Sequence, residues 1–407
     1  MTPPSPPFTE VFVGNDEDRR FERKVRRVCS GEWRADPGFG VYVHIPFCLH
    51  RCHYCDFNTY EGQGDLHDRY VDALVRAIEM SEGAFPEATS VFFGGGTPTL
   101  LEPQQLGRVV GAVRGRCGIA TGAEVTVEAN PETVDEKTFA GLLDAGFNRV
   151  SIGVQSLVPR VLMGLGRTHS PERALDAIAA ARRAGVPDVN ADLIYGSPWE
   201  TPEDWLTSLT GLVAAGPDHV SAYALTIEEG TPLATLVNTR RVPNVDPDVQ
   251  AERHGIANEV LGAAGYDRYE ISNWARSGHA SSHNVLYWSA GDYLGFGAGA
   301  HGHLAGRRYW SLRLPRDYID RVEKGSSPED EHEVVPDRCG EALMLGLRLT
   351  SGVEIAAFES RFGPLGAERV DRIDELTASG ALEQEDGHLR LSERATLLAN
   401  DVIARLL

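Results

Sequence analysis

The chain lacks any run of about 18 apolar residues, which is the length that a helix needs to cross a membrane. Its first seven residues, MTPPSPP, are polar and rich in proline, and they contain neither the basic segment nor the apolar stretch of a secretory signal. We therefore expect a cytoplasmic protein whose contact with any membrane is peripheral and made through partner proteins.

Basic residues are also scarce, with 39 Lys and Arg against 59 Asp and Glu, which gives a formal net charge of −20. Nucleic-acid binding depends on neutralising phosphates with Lys and Arg, and attraction to anionic lipids depends on the same charges. The charge balance therefore argues against a nucleic-acid partner and against simple electrostatic attachment to a membrane. The length of 407 residues allows more than one domain.

Cysteine is infrequent and unevenly placed. Three of the six cysteines fall within eight positions, at Cys48, Cys52 and Cys55. In a reducing cytosol, clustered cysteines are more often metal ligands or catalytic groups than disulfides. The others are predicted to be ordinary small apolar residues: Cys29, Cys117 and Cys339.

Regular patterns begin at residue 40, where short β-branched or aromatic runs start to alternate with amphipathic ones. The predicted strands are 40–45, 90–93, 124–128, 149–154, 188–194, 219–225 and 268–272. About six strand–helix units predict an α/β fold with a parallel sheet and helices outside it, either doubly wound or curled into a barrel. The distinctive residues follow the carboxyl ends of strands, where barrels carry their chemistry, which favours a full or partial (β/α) barrel.

The composition divides the chain into an N-terminal extension (1–38), this α/β core (39–275), a connecting segment rich in Gly, His and aromatics (276–336), and a C-terminal unit (337–407). In the last unit, two predicted helices precede a hairpin that turns at Asp386-Gly387, and a helix capped by Ser392 follows. This order is typical of a winged-helix-like module. Its 13 acidic residues against 8 arginines predict packing or partner binding, not DNA binding.

The cysteine cluster directly follows the first predicted strand, in the run YVHIPFCLHRCHYCDF over 42–57. Thiolates are the usual ligands of iron–sulfur clusters, one per iron, so three cysteines at this spacing suit three corners of a [4Fe–4S] cubane. The fourth iron then keeps an open position, which S-adenosylmethionine (SAM) can fill through its amino and carboxylate groups. The alternative is a structural zinc site completed by His44, His50 or His53, although zinc motifs usually present two separated ligand pairs.

The Cys-x3-Cys-x2-Cys run after a first strand resembles the radical-SAM superfamily, and the preceding YVHIPF narrows the resemblance to relatives of oxygen-independent coproporphyrinogen III oxidase. Five further motifs extend it: FGGGTPT (93–99), EANP (128–131), SIGVQS (151–156), LGRTHS (165–170) and DLIYG (192–196). The resemblance implies SAM contacts at Tyr42, Gly95, Gly96, Thr97, Glu128, Gln155, Arg167 and Asp192.

Each of these residue types suits such a ligand. Glycine lets the backbone approach closely, and Glu128 and Asp192 are suited to accept hydrogen bonds from ribose hydroxyls or an amino group. The guanidinium of Arg167 matches a carboxylate, and Gln155 adds a neutral hydrogen bond. Any one of them also fits a solvated loop or a structural ion pair, but the whole set, at predicted strand ends or in the loops that follow them, favours a ligand pocket.

Two features separate an enzyme from a carrier within this family. The motif typical of the oxidases in this family is Cys-x3-Cys-x2-Cys-x-Cys. This chain has Phe57 at the position of the last cysteine, which puts the oxidase activity in doubt. His283-Asn284-x-x-Tyr287-Trp288 resembles the signature of the haem chaperones of this family, and imidazole is the commonest protein ligand of haem iron. The alternative for His283 is a hydrogen-bonded histidine among core aromatics. His301, in a glycine-rich loop, is a second candidate.

The sequence therefore predicts a haem chaperone that carries a [4Fe–4S] cluster, binds SAM and haem, and delivers haem to acceptors such as respiratory enzymes. No catalytic residue is assigned. Two alternatives stay open: an oxygen-independent coproporphyrinogen III oxidase, and a non-catalytic iron–sulfur scaffold whose acidic surface binds a partner protein.

Overall fold

The computed structural model describes residues 29–407, so most of the predicted N-terminal extension lies outside the described residues. Its strands, in chain order, are β1 (Phe39–Ile45), β2 (Phe47–Cys48), β3 (Tyr60–Glu61), β4 (Ala88–Gly95), β5 (Ile119–Ala129), β6 (Arg149–Gln155), β7 (Asp188–Tyr195), β8 (His219–Ala224), β9 (Asp267–Arg268), β10 (Asn273–Ala275), β11 (Asp292–Phe296), β12 (His301–Leu304), β13 (Arg307–Ser311), β14 (Glu329–Val334), β15 (Val353–Glu354), β16 (Leu382–Glu385) and β17 (His388–Leu391).

The α-helices are α1 (His67–Met80), α2 (Pro103–Arg116), α3 (Glu136–Asp144), α4 (Pro159–Leu165), α5 (Pro171–Ala184), α6 (Pro202–Ala215), α7 (Pro232–Asn238), α8 (Pro247–Ala263), α9 (Ser282–Trp288), α10 (Pro315–Glu323), α11 (Arg338–Gly346), α12 (Ile355–Phe362), α13 (Ala367–Ala378) and α14 (Ala399–Ala404). Short 3₁₀ helices occur at Gly64–Leu66, Pro98–Leu100, Pro131–Thr133 and Glu393–Leu398. No helix within 29–407 has the length and apolar character that crossing a membrane requires.

One large sheet organises the core, in the order β14-β13-β12-β11-β1-β4-β5-β6-β7-β8-β10-β9. The neighbours from β11 through β1 to β8 are all parallel. Parallel strands bring their carboxyl ends to one edge, and the helices between them cover the outer face. The predicted partial (β/α) barrel is confirmed, and six of the seven predicted strands lie within β1 and β4–β8 or end within one residue of them.

The core explains why these segments form these elements. β1 is buried on both faces, as expected for a central parallel strand. In α1, the residues of the apolar stripe that pack inward include Val71, Leu74 and Ile78. The helix α5 ends at Gly185, whose left-handed φ of 82° closes the last turn as its position in the sequence predicts.

The predicted strand at 268–272 is wrong. The chain instead forms an antiparallel pair from β9 and β10, with residues 269–272 between them. The buried Glu270 carboxylate accepts hydrogen bonds from the Ser272 backbone (2.8 Å) and the Asn273 amide group, and these bonds turn the chain. A local polar cap of this kind competes with strand pairing, and periodicity alone does not reveal it.

The segment at 276–336, treated as a connection in the sequence analysis, adds β11–β14 to the large sheet. Its glycines allow this close pairing: a Cβ on Gly295 would lie 1.9 Å from the His301 carbonyl oxygen. The division of the chain at residues 275 and 336 stays a prediction.

The C-terminal unit has a core of its own, which includes Leu343, Phe358, Leu376, Leu389 and Ile403. The hairpin β16–β17 coincides with the predicted one, and β15 joins it to form a three-stranded sheet. Neither α12 nor β15 was predicted from the sequence, and the final helix starts with a 3₁₀ segment before α14.

Candidate functional site

The carboxyl ends of the parallel strands face a cavity of about 530 Å³. The loop after β1 closes one side of it and carries Cys48, Cys52 and Cys55. Seven of the eight residues predicted to contact SAM line the same cavity: Gly95, Gly96, Thr97, Glu128, Gln155, Arg167 and Asp192. The eighth, Tyr42, is absent from the lining, and its hydroxyl lies 2.9 Å from His44 Nδ1.

The three thiols are free of disulfides and half-buried. Burial raises the pKa of Cys48 to about 11. The hydrogen bond from Thr97 opposes this rise, whereas the charges of the other two thiols add to it. Thr97 Oγ1 lies 3.8 Å from Cys48 Sγ, and Arg167 Nη1 lies 3.3 Å from Cys52 Sγ. Three thiols crowded on one loop can each give up a proton to a bound metal, whose positive charge offsets the cost of holding the thiolates in a half-buried place.

The histidines near the thiols differ in availability. Both ring nitrogens of His44 are engaged, Nδ1 with the Tyr42 hydroxyl and Nε2 with the Asn58 carbonyl at 3.0 Å. His53 Nδ1 lies 3.1 Å from the Gly164 carbonyl. His50 is exposed and lines the cavity. A zinc site completed by His44 would therefore require one of these two hydrogen bonds to break.

Two buried carboxyl groups face the cavity from neighbouring parts of the sheet. Glu128 Oε2 accepts a hydrogen bond from the Gly95 backbone at 2.9 Å, and burial together with nearby Asp192 raises the pKa of Glu128 to about 8. Asp192 accepts from Ser151 Oγ at 2.9 Å and from Asn190 Nδ2 at 2.7 Å, and burial raises its pKa. Such a pair suits a ligand that brings hydroxyl donors or a positive charge.

Arg167 keeps one unsatisfied donor in this site. Its Nη2 donates to Asn130 Oδ1 at 2.8 Å and to the Gly153 carbonyl at 3.1 Å, whereas its buried Nε has no partner within 29–407. Buried donors without a partner are rare in native proteins and point to a missing acceptor. Gln155 next to it holds a left-handed φ of 63° at a bulge in β6, a strained geometry that is typical of ligand sites.

Two glycines of the GGG run serve a second purpose beside the predicted one. A Cβ on Gly95 would lie 2.3 Å from the His44 ring, and one on Gly96 would lie 2.5 Å from the Phe47 carbonyl oxygen. Their backbone is thus pressed against β1 and the cysteine loop, and Gly96 N donates to the Ile45 carbonyl at 2.8 Å. These glycines hold the cysteine loop in place as well as lining the cavity.

Asn130 is a site residue that was not predicted from the sequence. Its Nδ2 donates to Thr97 Oγ1 at 2.9 Å, and its Oδ1 accepts from Arg167, so it joins the two side chains that contact Cys48 and Cys52. Its place in the EANP motif, directly after β5, was the available signal.

His283 lies outside this cavity, on α9, and is 1% exposed. Its Nδ1 is 2.9 Å from Ser90 Oγ and its Nε2 is 2.9 Å from the Tyr287 hydroxyl. Its ring stacks on Phe92, with the centroids 5.2 Å apart, and burial lowers its pKa to about 4. This geometry corresponds to the alternative considered for His283, a hydrogen-bonded histidine among core aromatics. His301 is exposed at the start of β12.

Comparisons with known proteins agree with the fold. Residues 42–210 match the radical SAM superfamily, and residues 336–398 match the HemN C-terminal domain. The protein of Mycobacterium tuberculosis strain H37Rv named "Heme chaperone HemW" is 40% identical over 376 residues, covering 91% of this chain and 95% of that protein. The Escherichia coli K12 protein of the same name is 34% identical over 376 residues, covering 90% and 97%.

A solved structure also matches over nearly the whole chain. It is coproporphyrinogen III oxidase (HemN) from Escherichia coli, described as a radical SAM enzyme, with a TM-score of 0.77 and 20% sequence identity over 97% of this chain and 93% of that one. At this identity the match establishes the shared fold.

Proposed function

The chain belongs to the HemW family of haem chaperones within the radical-SAM superfamily, and on this premise we propose that it binds a [4Fe–4S] cluster, SAM and haem and delivers haem to acceptor haem proteins. The observation that carries the proposal is the similarity to the Mycobacterium tuberculosis protein named "Heme chaperone HemW", which is 40% identical and covers 91% of this chain. The three thiols beside two buried carboxyl groups support the cofactor part. Respiratory enzymes are the proposed acceptors.

The cluster is proposed to bind at Cys48, Cys52 and Cys55. When bound, it supplies an iron with one open coordination position. The chain's own contribution is to hold the three sulfurs on one loop and to place the Arg167 guanidinium against Cys52, where it offsets negative charge.

SAM is proposed to occupy the adjoining cavity. Asp192 and Glu128 accept from its hydroxyl or amino groups, and the free Nε of Arg167 is a donor for its carboxylate. Gln155 and the backbone at Gly95 and Gly96 complete the lining. Thr97 holds Cys48, and Tyr42 acts by positioning His44, whose ring packs against Gly95.

Haem contact at His283 stays a prediction. Ligation of iron there requires the ring to give up its bond to Ser90 or to Tyr287. Phe57 supports a carrier over an oxidase, because a phenyl group has no redox or proton-transfer chemistry to replace a thiol. A cytoplasmic location, with membrane contact only through partners, also stays a prediction.

The test is a haem titration of the purified, cluster-loaded protein. We expect a saturable Soret band, and we expect no protoporphyrinogen when coproporphyrinogen III, SAM and a reductant are supplied without oxygen. Absence of haem binding would contradict the proposal and favour the scaffold alternative. Conversion of the porphyrinogen would favour the oxidase.

A further inference from the structure

The surface beside the cysteine loop carries an exposed histidine, an arginine without an ion pair and large apolar side chains. We propose that this surface binds haem, with His301 as the iron ligand and Arg313 as the partner of a propionate. The inference rests on the proposed haem binding and assigns it to a site other than His283.

His301 has the properties of an iron ligand. It is exposed, and its ring forms no hydrogen bond with another residue between 29 and 407. The ring stacks on Trp310 of the paired strand β13, with centroids 5.6 Å apart and an angle of 29° between the planes, which fixes its orientation. Partial burial, and then the charges of Arg308 and Arg313, lower the pKa of His301, so the ring is neutral at neutral pH. Neutral imidazole is the form that binds metal.

Arg313 supplies the matching positive charge. Its side chain is exposed and makes no ion pair within the described chain. Its backbone is fixed, because the Arg313 carbonyl accepts from Asn58 Nδ2 at 2.8 Å and from the Tyr60 hydroxyl at 3.1 Å. An exposed guanidinium on a fixed backbone can meet the carboxylate of a propionate, with which it can form paired hydrogen bonds.

Two exposed apolar side chains adjoin the residues of this surface along the chain. Leu314 is 51% exposed and follows Arg313, and Phe57 is 62% exposed and precedes Asn58. Both offer apolar area to a porphyrin ring. Haem combines an apolar ring, two carboxylates and an iron, and this surface offers a partner for each.

Asn58 connects the parts of the site. Besides Arg313, its amide donates to the Ala298 carbonyl at 2.9 Å, and its own carbonyl contacts His44 Nε2 at 3.0 Å. The Gly299 backbone N–H donates to the Leu312 carbonyl at 2.9 Å, so the chain that leads into His301 lies beside the chain that leads into Arg313. Haem on this surface would be next to the cluster loop, whereas His283 is enclosed on α9.

The experiment uses the full-length, cluster-loaded protein and ferric haem as the probe. We expect His301→Ala to weaken haem binding at least tenfold and to change the Soret band and the low-spin EPR signal, and we expect free imidazole to restore the band. Arg313→Leu is expected to weaken binding several-fold without changing the spectrum. His388→Ala, an exposed histidine on β17, is the control and should behave as the parent protein.

Three results would count against the account in different ways. A parent protein that binds no haem would contradict the proposed function itself. Normal affinity and spectrum in His301→Ala, with loss of the Soret band in His283→Ala, would overturn this inference and leave the proposed function standing. Weakened binding that imidazole does not reverse would overturn the ligand assignment of His301.

Discussion

Asn130 shows how one neutral side chain can organise a charged site. It holds Thr97 and Arg167, and these two residues contact Cys48 and Cys52. Hydrogen bonds to cluster sulfurs are one of the factors that set the reduction potential of iron–sulfur centres, because they stabilise the more negative, reduced state.

We therefore predict that Asn130→Ala lowers the reduction potential of the bound cluster. One weakened hydrogen bond of about 1 kcal/mol corresponds to a shift on the order of 40 mV for one electron. An anaerobic redox titration followed by EPR measures the shift. Asn238→Ala, at the exposed end of α7, is the matched control, and equal potentials in both variants and the parent would refute the role of Asn130.

The raised pKa of Glu128 predicts that the stability of the protein depends on pH. Its folded-state pKa of about 8 lies above its ordinary value of 4.5, so between these values the folded protein binds more protons than the unfolded one. Stability without SAM should then fall as pH rises through this window, by up to about 1.4 kcal/mol per pH unit for this group. Urea unfolding of the SAM-free protein at pH 5 to 8 should show a shallower fall for Glu128→Gln. Glu79 is exposed, so Glu79→Gln should keep the parent's slope of stability against pH. An unchanged slope in Glu128→Gln would contradict the raised pKa of Glu128.

The chemistry of single residues was largely visible in the sequence. The cysteines and the two carboxyl groups carry reactive groups at or just after strand ends, Arg167 follows α4, and the structure brings them to one cavity. Asn130 was not visible because its importance lies in which two side chains it joins. The roles of Gly95 and Gly96 were also hidden, since their neighbours come from β1 and the cysteine loop.

At the scale of elements, the contact between β1, β4 and the cysteine loop positions the site. Gly96 is the position where this contact can yield least, because the atom that a Cβ would meet belongs to the Phe47 backbone and cannot rotate away. We predict that Gly96→Ala destabilises the protein by about 1–3 kcal/mol and reduces the iron content after reconstitution.

The control for this change lies on α2. Gly111 has no atom within 4 Å of a Cβ position, so Gly111→Ala should leave iron content unchanged and raise stability by up to about 1 kcal/mol. Thermal unfolding and iron analysis of both variants make the comparison. Full iron content and parent stability in Gly96→Ala would show that the loop does not depend on this contact.

Elements with a strong repeating pattern were predictable, and those defined by long-range contacts were not. β1 and β4–β8 are buried parallel strands, so their apolar runs stand out. By contrast, β14 is exposed along most of its length and consists mainly of acidic residues, which no apolar pattern reveals. The turn at 269–272 depends on the side chain of Glu270, which a strand pattern does not register.

At the scale of the molecule, the C-terminal unit packs on the segment that follows α9. Arg361 donates to the Ser289 carbonyl at 2.6 Å and to the Ala290 carbonyl at 2.7 Å, and Thr350 N donates to the Tyr269 carbonyl at 2.9 Å. A guanidinium on the carbonyls after a helix satisfies groups that the helix leaves unpaired.

We predict that Arg361→Ala loosens this attachment by about 1.5–3 kcal/mol, because both bonds involve a charged donor. Hydrogen exchange read by mass spectrometry should rise in α9 and in α11–α13 while remaining unchanged in β5–β7. Arg241→Ala, an exposed arginine after α7, is the control. Unaltered exchange in α9 would show that Arg361 does not hold the two units together.

The whole molecule is a radical-SAM barrel in which haem, not a porphyrinogen, is the proposed cargo. The measurement that tests this claim most directly is transfer of haem from the haem-loaded, cluster-containing chain to an apo haem protein. After separation of the two proteins, we predict that the Soret band appears on the acceptor, faster than from an equal amount of haem bound to albumin. Haem that stays on the chain, or a chain that takes up no haem, would contradict the account.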